Sequence, residues 1–227
     1  MVECKPCSTP IHSKTQLSSL DGEPLSDPTE YRRLVGSLQY LTLTRPDISF
    51  AVQHVAQFMS IPRTSHLAAA KRILRYLKGT LQLGLVFQSS SSPLALHAYS
   101  DADWAGCPDT WRSTSAGVSA ETVWISNLLH ELHVLVSRPI TLYCDNLSAT
   151  YMASNSVFHA RTKHIELDYH FVRELVLSGS HHVQFVPSID QIADLFTKGL
   201  LKQRFHLLCS KLVYQRPPSL PGNVKEL

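Results

Sequence analysis

Leu94-Ala-Leu-His-Ala-Tyr-Ser-Asp-Ala-Asp-Trp-Ala-Gly106 is a strand that ends abruptly in carboxylates. Leu94, Leu96 and Ala98 alternate with Ala95, His97 and Tyr99, a short β pattern without a charge. It stops at Ser100, where small and acidic residues take over. A buried strand that delivers Asp101 at its carboxyl tip can build a site. Asp101 or Asp103 can equally open a turn, which Asp does well by bonding its own backbone.

A second stretch has the same ending. Pro139 to Cys144 is a compact apolar run that stops at Asp145, followed by Asn146 and a helix-like Leu147 to Ser154. His182 to Val186 reads as a third strand, broken by Pro187 and Ser188. Gln191 to Lys198 then reads as a helix with Asp194 on its first turn. In open α/β sheets, sites collect at the carboxyl ends of the strands, so Asp101, Asp145 and Asp194 are expected to converge there. Carboxylates without a Cys or His ligand set suit hard divalent ions, Mg²⁺ above all. Two such ions can clamp an in-line displacement at phosphorus.

Composition sets the frame around these strands. With 227 residues and 44% apolar content the chain can bury a real core in one or two domains. No apolar run approaches the roughly 20 residues that span a bilayer, and Met-Val-Glu-Cys-Lys-Pro lacks the apolar core of a signal peptide. An intracellular protein, cytoplasmic or nuclear, is therefore expected, with no membrane partner. Five cysteines without framework spacing argue for reduced thiols. Cys4-Lys-Pro-Cys7 has no second ligand pair at a zinc-knuckle distance. Leu129-His-Glu-Leu-His133 has one residue between Glu and the second His, where a zinc-protease helix needs two.

Charge is distributed unevenly. Residues 1 to 92 carry ten Lys or Arg against six acids, and Arg63, Lys71, Arg72, Arg75 and Lys78 form a run without an acid. Residues 93 to 227 carry eleven bases against twelve acids. A basic helical block beside an acidic pocket suits a polyanion handled through metal ions, although a solvated helix face has the same composition.

Along the chain, residues 1 to 26 are polar and turn-rich, an extended lead-in. Asp27-Pro-Thr-Glu30 starts a helix, and Tyr31, Leu34, Val35, Leu38 and Leu41 form its apolar face. After Arg45-Pro-Asp47 the helical period resumes through Ile48, Val52, Val55 and Met59. A third helix from Thr64 to Leu77 turns Leu67, Ala70, Leu74 and Leu77 inward. Leu83 to Phe87 reads as a short strand, and Gln88-Ser-Ser-Ser-Ser-Pro93 as a joint between domains. Beyond it, a helix from Ser119 carries Val123, Trp124, Leu128 and Leu132 on an expected core face. Arg161 to Leu177 is a further helix, opened by the basic cluster Arg161, Lys163 and His164. His181 and His182 read as strand-edge residues, 201 to 212 as a terminal helix, and 213 to 227 as a flexible tail.

Tyr99-Ser-Asp-Ala-Asp-Trp-Ala-Gly-Cys-Pro-Asp-Thr110, Tyr143-Cys-Asp-Asn146, Arg161-Thr-Lys-His-Ile-Glu166 and Ala193-Asp-Leu-Phe-Thr-Lys198 resemble the ribonuclease H domain of copia-type LTR retrotransposon Pol polyproteins. The likeness covers nearly the whole chain. It implies an incomplete ribonuclease H-like α/β domain over 93–212, with flanking helices, and a small helical bundle over 27–88 that resembles the tail of the reverse transcriptase. The polymerase's own acidic motif is absent, so no polymerase activity is implied. The implied reaction is cleavage of the RNA strand of an RNA–DNA hybrid with Mg²⁺, or Mn²⁺ in its place, and no small-molecule cofactor. Asp101 would bridge two ions, with Asp145 and Asp194 holding one each. Asn146, Arg161, Lys163 and His164, together with Lys71, Arg72 and Arg75, are the expected nucleic-acid contacts.

The chain departs from that pattern after Arg112-Ser-Thr-Ser115. Members of the family continue there through two further strands and an acidic helix start that supplies a fourth carboxylate. Here Ser115 runs almost directly into Ala120-Glu-Thr-Val-Trp124. Glu121 is the nearest substitute, but its counterpart in the family lies about ten residues further down the same helix, roughly 15 Å from the metals. The resemblance therefore implies an impaired nuclease. An active enzyme using Glu121 and a weak nucleic-acid-binding relic are the alternatives.

Overall fold

A computed structural model describes residues 4–13, 17–85, 93–101, 114–147, 150 and 166–212. In chain order the elements are α1 (Thr29–Leu41), a 3-10 turn at Pro46–Ile48, α2 (Ser49–Ala56), α3 (Thr64–Gly79), β1 (Leu94–Ser100), α4 (Thr114–Glu131), β2 (Val136–Cys144), α5 (Glu166–Leu177), β3 (His181–Phe185), a second 3-10 turn at Ser188–Asp190, α6 (Asp194–Thr197) and α7 (Lys202–Lys211). They divide into two units, Met1–Phe87 with Asp194–Leu227, and Gln88–Ala193. Among the described residues no helix is long and apolar enough to cross a membrane.

The first unit is helical. Asp27 accepts the Thr29 N–H at 2.9 Å and so opens α1, whose Tyr31, Val35 and Leu38 are buried at helical spacing. α2 is shorter than its apolar period suggested, because Phe58 and Met59 already turn back to Val55 and Ala56, ahead of Pro62. The buried face of α3 is Ala70, Ile73, Tyr76 and Leu77, with His66 at its head, so the expected Leu67 and Leu74 lie at its margins, half-buried. His66 takes the Arg63 N–H on Nδ1 at 3.0 Å, and its Nε2 lies 3.0 Å from Ser18 O.

Arg45-Pro-Asp47 is more than an interruption. Both charged side chains are buried, joined by Arg45 Nε and Nη2 on the two Asp47 oxygens at 3.0 and 2.8 Å. Tyr76 donates its hydroxyl to the same carboxylate, and Arg45 Nη1 donates to Thr80 O at 2.9 Å. Buried charges persist only when paired and hydrogen-bonded in this way. Burial, and then the neighbouring Asp47, push the Tyr76 phenol well above its ordinary range.

Two expectations about the bounds of this unit change. Residues 4–13 and 17–26 lie along the helices: Cys7 N–H donates to Arg75 O, Leu25 N–H to Pro62 O, and Ile11 is buried in the core. The expected domain 93–212 is also divided, since Leu195, Leu200, Phe205 and Leu208 are buried in the same core as Tyr31, Val52 and Ile73. Their apolar faces close the helical layer. Of the expected strand 83–87, Leu83 and Gly84 have no regular structure and the last two residues lie outside the described ones.

The second unit is α/β. Its three strands form a parallel sheet in the order β1-β2-β3. Ser100 pairs with Cys144, and Cys144 with Phe185, so the three carboxyl ends lie level. β2 makes four steps to two of β1 between Ala95/Ser137 and His97/Thr141, a bulge that contains Pro139. α4 and α5 pack against each other and both cover one face of the sheet. On that face Ile140, Leu142 and Cys144 are buried, Thr122 of α4 meets His181, and Val172 of α5 packs on Val183.

The inward side of α4 overturns its expected core face. Ser119, Thr122 and Ser126 are buried, whereas Trp124, Leu128 and Leu132 are 61%, 40% and 63% exposed. The other face of the sheet carries His97, Tyr99, Thr141, Tyr143, His182 and Gln184, by the two-residue alternation of strand side chains. Of these, His97, His182 and Gln184 are exposed and the rest half-buried.

Candidate metal-binding site

Register places two of the expected acids together. Because Ser100 and Cys144 are partners on adjacent parallel strands, the next residue on each strand, Asp101 and Asp145, leaves the sheet at the same level. Each offers a carboxylate oxygen within 4.8 Å of the other, and both are half-buried. Mutual repulsion at this separation is what a hard divalent cation offsets, and an all-oxygen donor pair suits Mg²⁺.

The end of β1 has a further tie that periodicity did not reveal. Gln191, fully buried, donates Nε2 to Ser100 O at 2.9 Å, and the Ala193 N–H donates to Gln191 Oε1 at 3.3 Å. This side chain fastens residues 191–193 to the tip that carries Asp101. The sequence offers one signal for it, a glutamine three positions before a candidate ligand.

Asp194 is the next residue, the first of α6 and of the helical unit. Its side chain is 2% exposed, and it is already paired. Oδ1 accepts from Lys198 Nζ at 2.8 Å and Oδ2 from Arg204 Nη2. The first pair spans one helical turn; the second reaches from α7.

Glu121 is placed unfavourably for rescue. It is exposed on α4, and the adjacent Thr122 contacts His181, the first residue of β3. His181 is level with Ile140, five residues before Asp145, so roughly 16 Å of strand separates that level from the acid pair.

The expected nucleic-acid contacts divide three ways. Asn146 sits directly after Asp145, its N–H donating to Cys144 Sγ at 3.4 Å and its carbonyl accepting from Thr150. In the basic run, Arg72 donates to Thr9 Oγ1 and Arg75 to Lys5 O, so both hold residues 4–13 on α3, while Lys71 is exposed. Arg161, Lys163 and His164 lie outside the described residues.

The chain is similar to known transposon proteins. The chain is 45% identical, over 253 aligned residues, to the retrovirus-related Pol polyprotein from transposon RE1 of Arabidopsis thaliana, with 96% of this chain covered. It is a homologue of copia-type transposon Pol polyproteins. Identity to the transposon RE2 polyprotein of the same plant is 43% over 98% of the chain, and to that of transposon TNT 1-94 of Nicotiana tabacum 33% over 94%. This Pol homologue spans only 17%, 18% and 19% of those three proteins. The alignments run over 253 or 256 residues, more than the 227 of the whole chain, so the transposon proteins carry residues that this Pol homologue lacks. No protein-family model and no solved structure matches it.

Proposed function

We propose that this Pol homologue is a remnant of a ribonuclease H-like nuclease, whose ancestral reaction is Mg²⁺-dependent cleavage of RNA in an RNA–DNA hybrid and whose activity is impaired in this chain. The observation that carries the reading is the pair Asp101 and Asp145, delivered together by registered parallel strands. By the family pattern Asp194, the residue after the segment that Gln191 ties to the tip of β1, would supply a third ligand. Mg²⁺ bound by these carboxylates supplies Lewis-acid polarisation of a phosphoryl oxygen and a more acidic water.

The impairment has two supports. The family's fourth carboxylate has no counterpart in the sequence, and Glu121 stands too far down the sheet to replace it. Asp194 is also neutralised by Lys198 and Arg204, so ligation there must displace cations that the side chain already holds. Fewer and pre-paired ligands cost metal affinity, and they cost alignment of the attacking water, where small misplacements lower rates by about 10²-fold.

Hybrid cleavage by the purified full chain, with Mg²⁺ and with Mn²⁺, beside Asp101→Asn and Glu121→Gln, tests this. All three proteins should cleave no faster than one another. Robust cleavage abolished by Asp101→Asn would overturn the impaired reading, and loss with Glu121→Gln would show that the helix supplies the fourth acid.

A further inference from the structure

All-parallel sheets are normally covered on both faces. In the second unit the described helices α4 and α5 pack on one face, and the other carries two tyrosines side by side. The Tyr99 and Tyr143 rings are stacked, centroids 4.7 Å apart and planes 20° from parallel, with His97 tilted against Tyr143 at 5.9 Å. That centroid distance equals the spacing of neighbouring strands, about 4.7 to 4.9 Å. Each ring therefore stands over its own strand and the stack runs across the sheet. β1 has a strand partner on one side only among the described residues, so the stack stops at Tyr99.

The same rows lead to the acids. Tyr99 is two residues before Asp101, and Tyr143 two before Asp145, so each carboxylate follows its ring just beyond the strand end. Two residues of strand are roughly 7 Å, short enough for one nucleotide to reach from ring to carboxylate. Around the rings the face is uncharged or His-bearing, with Thr141, Gln184, His97 and His182, and the two carboxylates follow just beyond the carboxyl ends of β1 and β2. With divalent ions on the acids, an apolar aromatic shelf leads into a cationic end, complementary to a base followed by its phosphate.

We propose that Tyr99, backed by Tyr143, is a base-stacking platform for single-stranded nucleic acid on the face of the sheet opposite α4 and α5. A base continues the stack on the outer face of Tyr99, and its phosphate is held through divalent ions at Asp101 and Asp145. This rests on the metal-binding reading above for the phosphate, and on ring geometry alone for the base. Aromatic stacking tolerates any base, so recognition is by strandedness rather than by sequence.

The experiment uses the full chain and a short single-stranded oligonucleotide carrying 5-iodouracil, in Mg²⁺ and in EDTA. Photocrosslinking of the unmodified protein should mark Tyr99. Affinity should fall about tenfold with Tyr99→Leu and be retained with Tyr99→Phe, which keeps the ring. Weakening by Asp101→Asn or EDTA, with Tyr99→Leu binding as the wild type does, would overturn the platform and leave the metal site standing. Weakening by Tyr99→Leu with no effect of Asp101→Asn or EDTA would support the platform and remove the metal reading. Crosslinks confined to Lys71 and its neighbours on α3, or a Tyr99-dependent dimer that excludes the oligonucleotide, would also overturn it.

Discussion

His181 heads β3, buried, with both ring nitrogens engaged. The Thr122 hydroxyl donates its proton to Ser119 O at 2.8 Å, so its oxygen accepts from His181 Nε2 at 3.0 Å. Nδ1 is then the acceptor for the Ser180 hydroxyl at 2.7 Å, and the ring is neutral by this assignment of the network. Burial, and then the cationic Arg138, lower the His181 pKa below its ordinary value. The unfolded chain thus binds the proton first, and the stability of the second unit falls as pH drops below about 6.5 toward the folded value. Thermal unfolding from about pH 7.5 down to about pH 5.5 should show a falling midpoint, with a shallower fall in His181→Asn; equal slopes would remove His181 from the account. The sequence showed two adjacent histidines at a strand edge. Alternation makes one of them buried, but only the sheet shows that it is the first. The acid pair was legible because each carboxylate ends an uncharged apolar run. The ion pair from Asp194 to Arg204 was not, since it depends on how α6 turns into α7.

α4 is the element whose face was misread, and the reason is physical. Trp124, Leu128 and Leu132 recur at helical spacing, and periodicity alone assigns the apolar side to a core. Here the helix lies close on a small sheet, and the side that fits is made of Ser119, Thr122 and Ser126, each small enough to be buried. Thr122→Val keeps the shape but leaves the His181 Nε2–H without its acceptor, and should cost about 1 to 3 kcal/mol. Trp124→Gln, on the exposed side, should stay within about 0.5 kcal/mol. Chemical denaturation of both variants checks the contrast, and the reverse order would restore the apolar side of α4 as the buried one. By comparison α1 was read correctly, because its cap at Asp27 and the spacing of Tyr31, Val35 and Leu38 agree with each other. β1 and β3 were placed to within a residue. β2 began three residues earlier than expected, since Pro139 sits inside a bulge and does not start the strand.

For the whole molecule, the Ser-rich stretch suggested a change of architecture, but apolar residues do not announce which core they will join. Leu195, Leu200, Phe205 and Leu208 follow the strands in sequence and are buried with the helices. Each is worth roughly 1.5 to 3 kcal/mol, so together they match the entire stability of a typical domain, about 5 to 15 kcal/mol. A chain ending at Ala193 should therefore lose the cooperative unfolding of α1 to α3, seen as a collapse of helical circular dichroism; a retained transition would show that the N-terminal helices suffice. Because the helical unit is built from both sides of Gln88–Ala193, its assembly is a loop-closure problem. Joining ends separated by about a hundred flexible residues costs about 4 kcal/mol of chain entropy on the logarithmic length dependence, beyond the constant. Order within that span lowers this cost. At about 5 to 20 residues per second, a ribosome also needs roughly 5 to 20 s to cross it. Throughout that interval α1 to α3 wait with their last apolar layer missing, so the window for capture by a chaperone or for aggregation is set by translation speed through the strands.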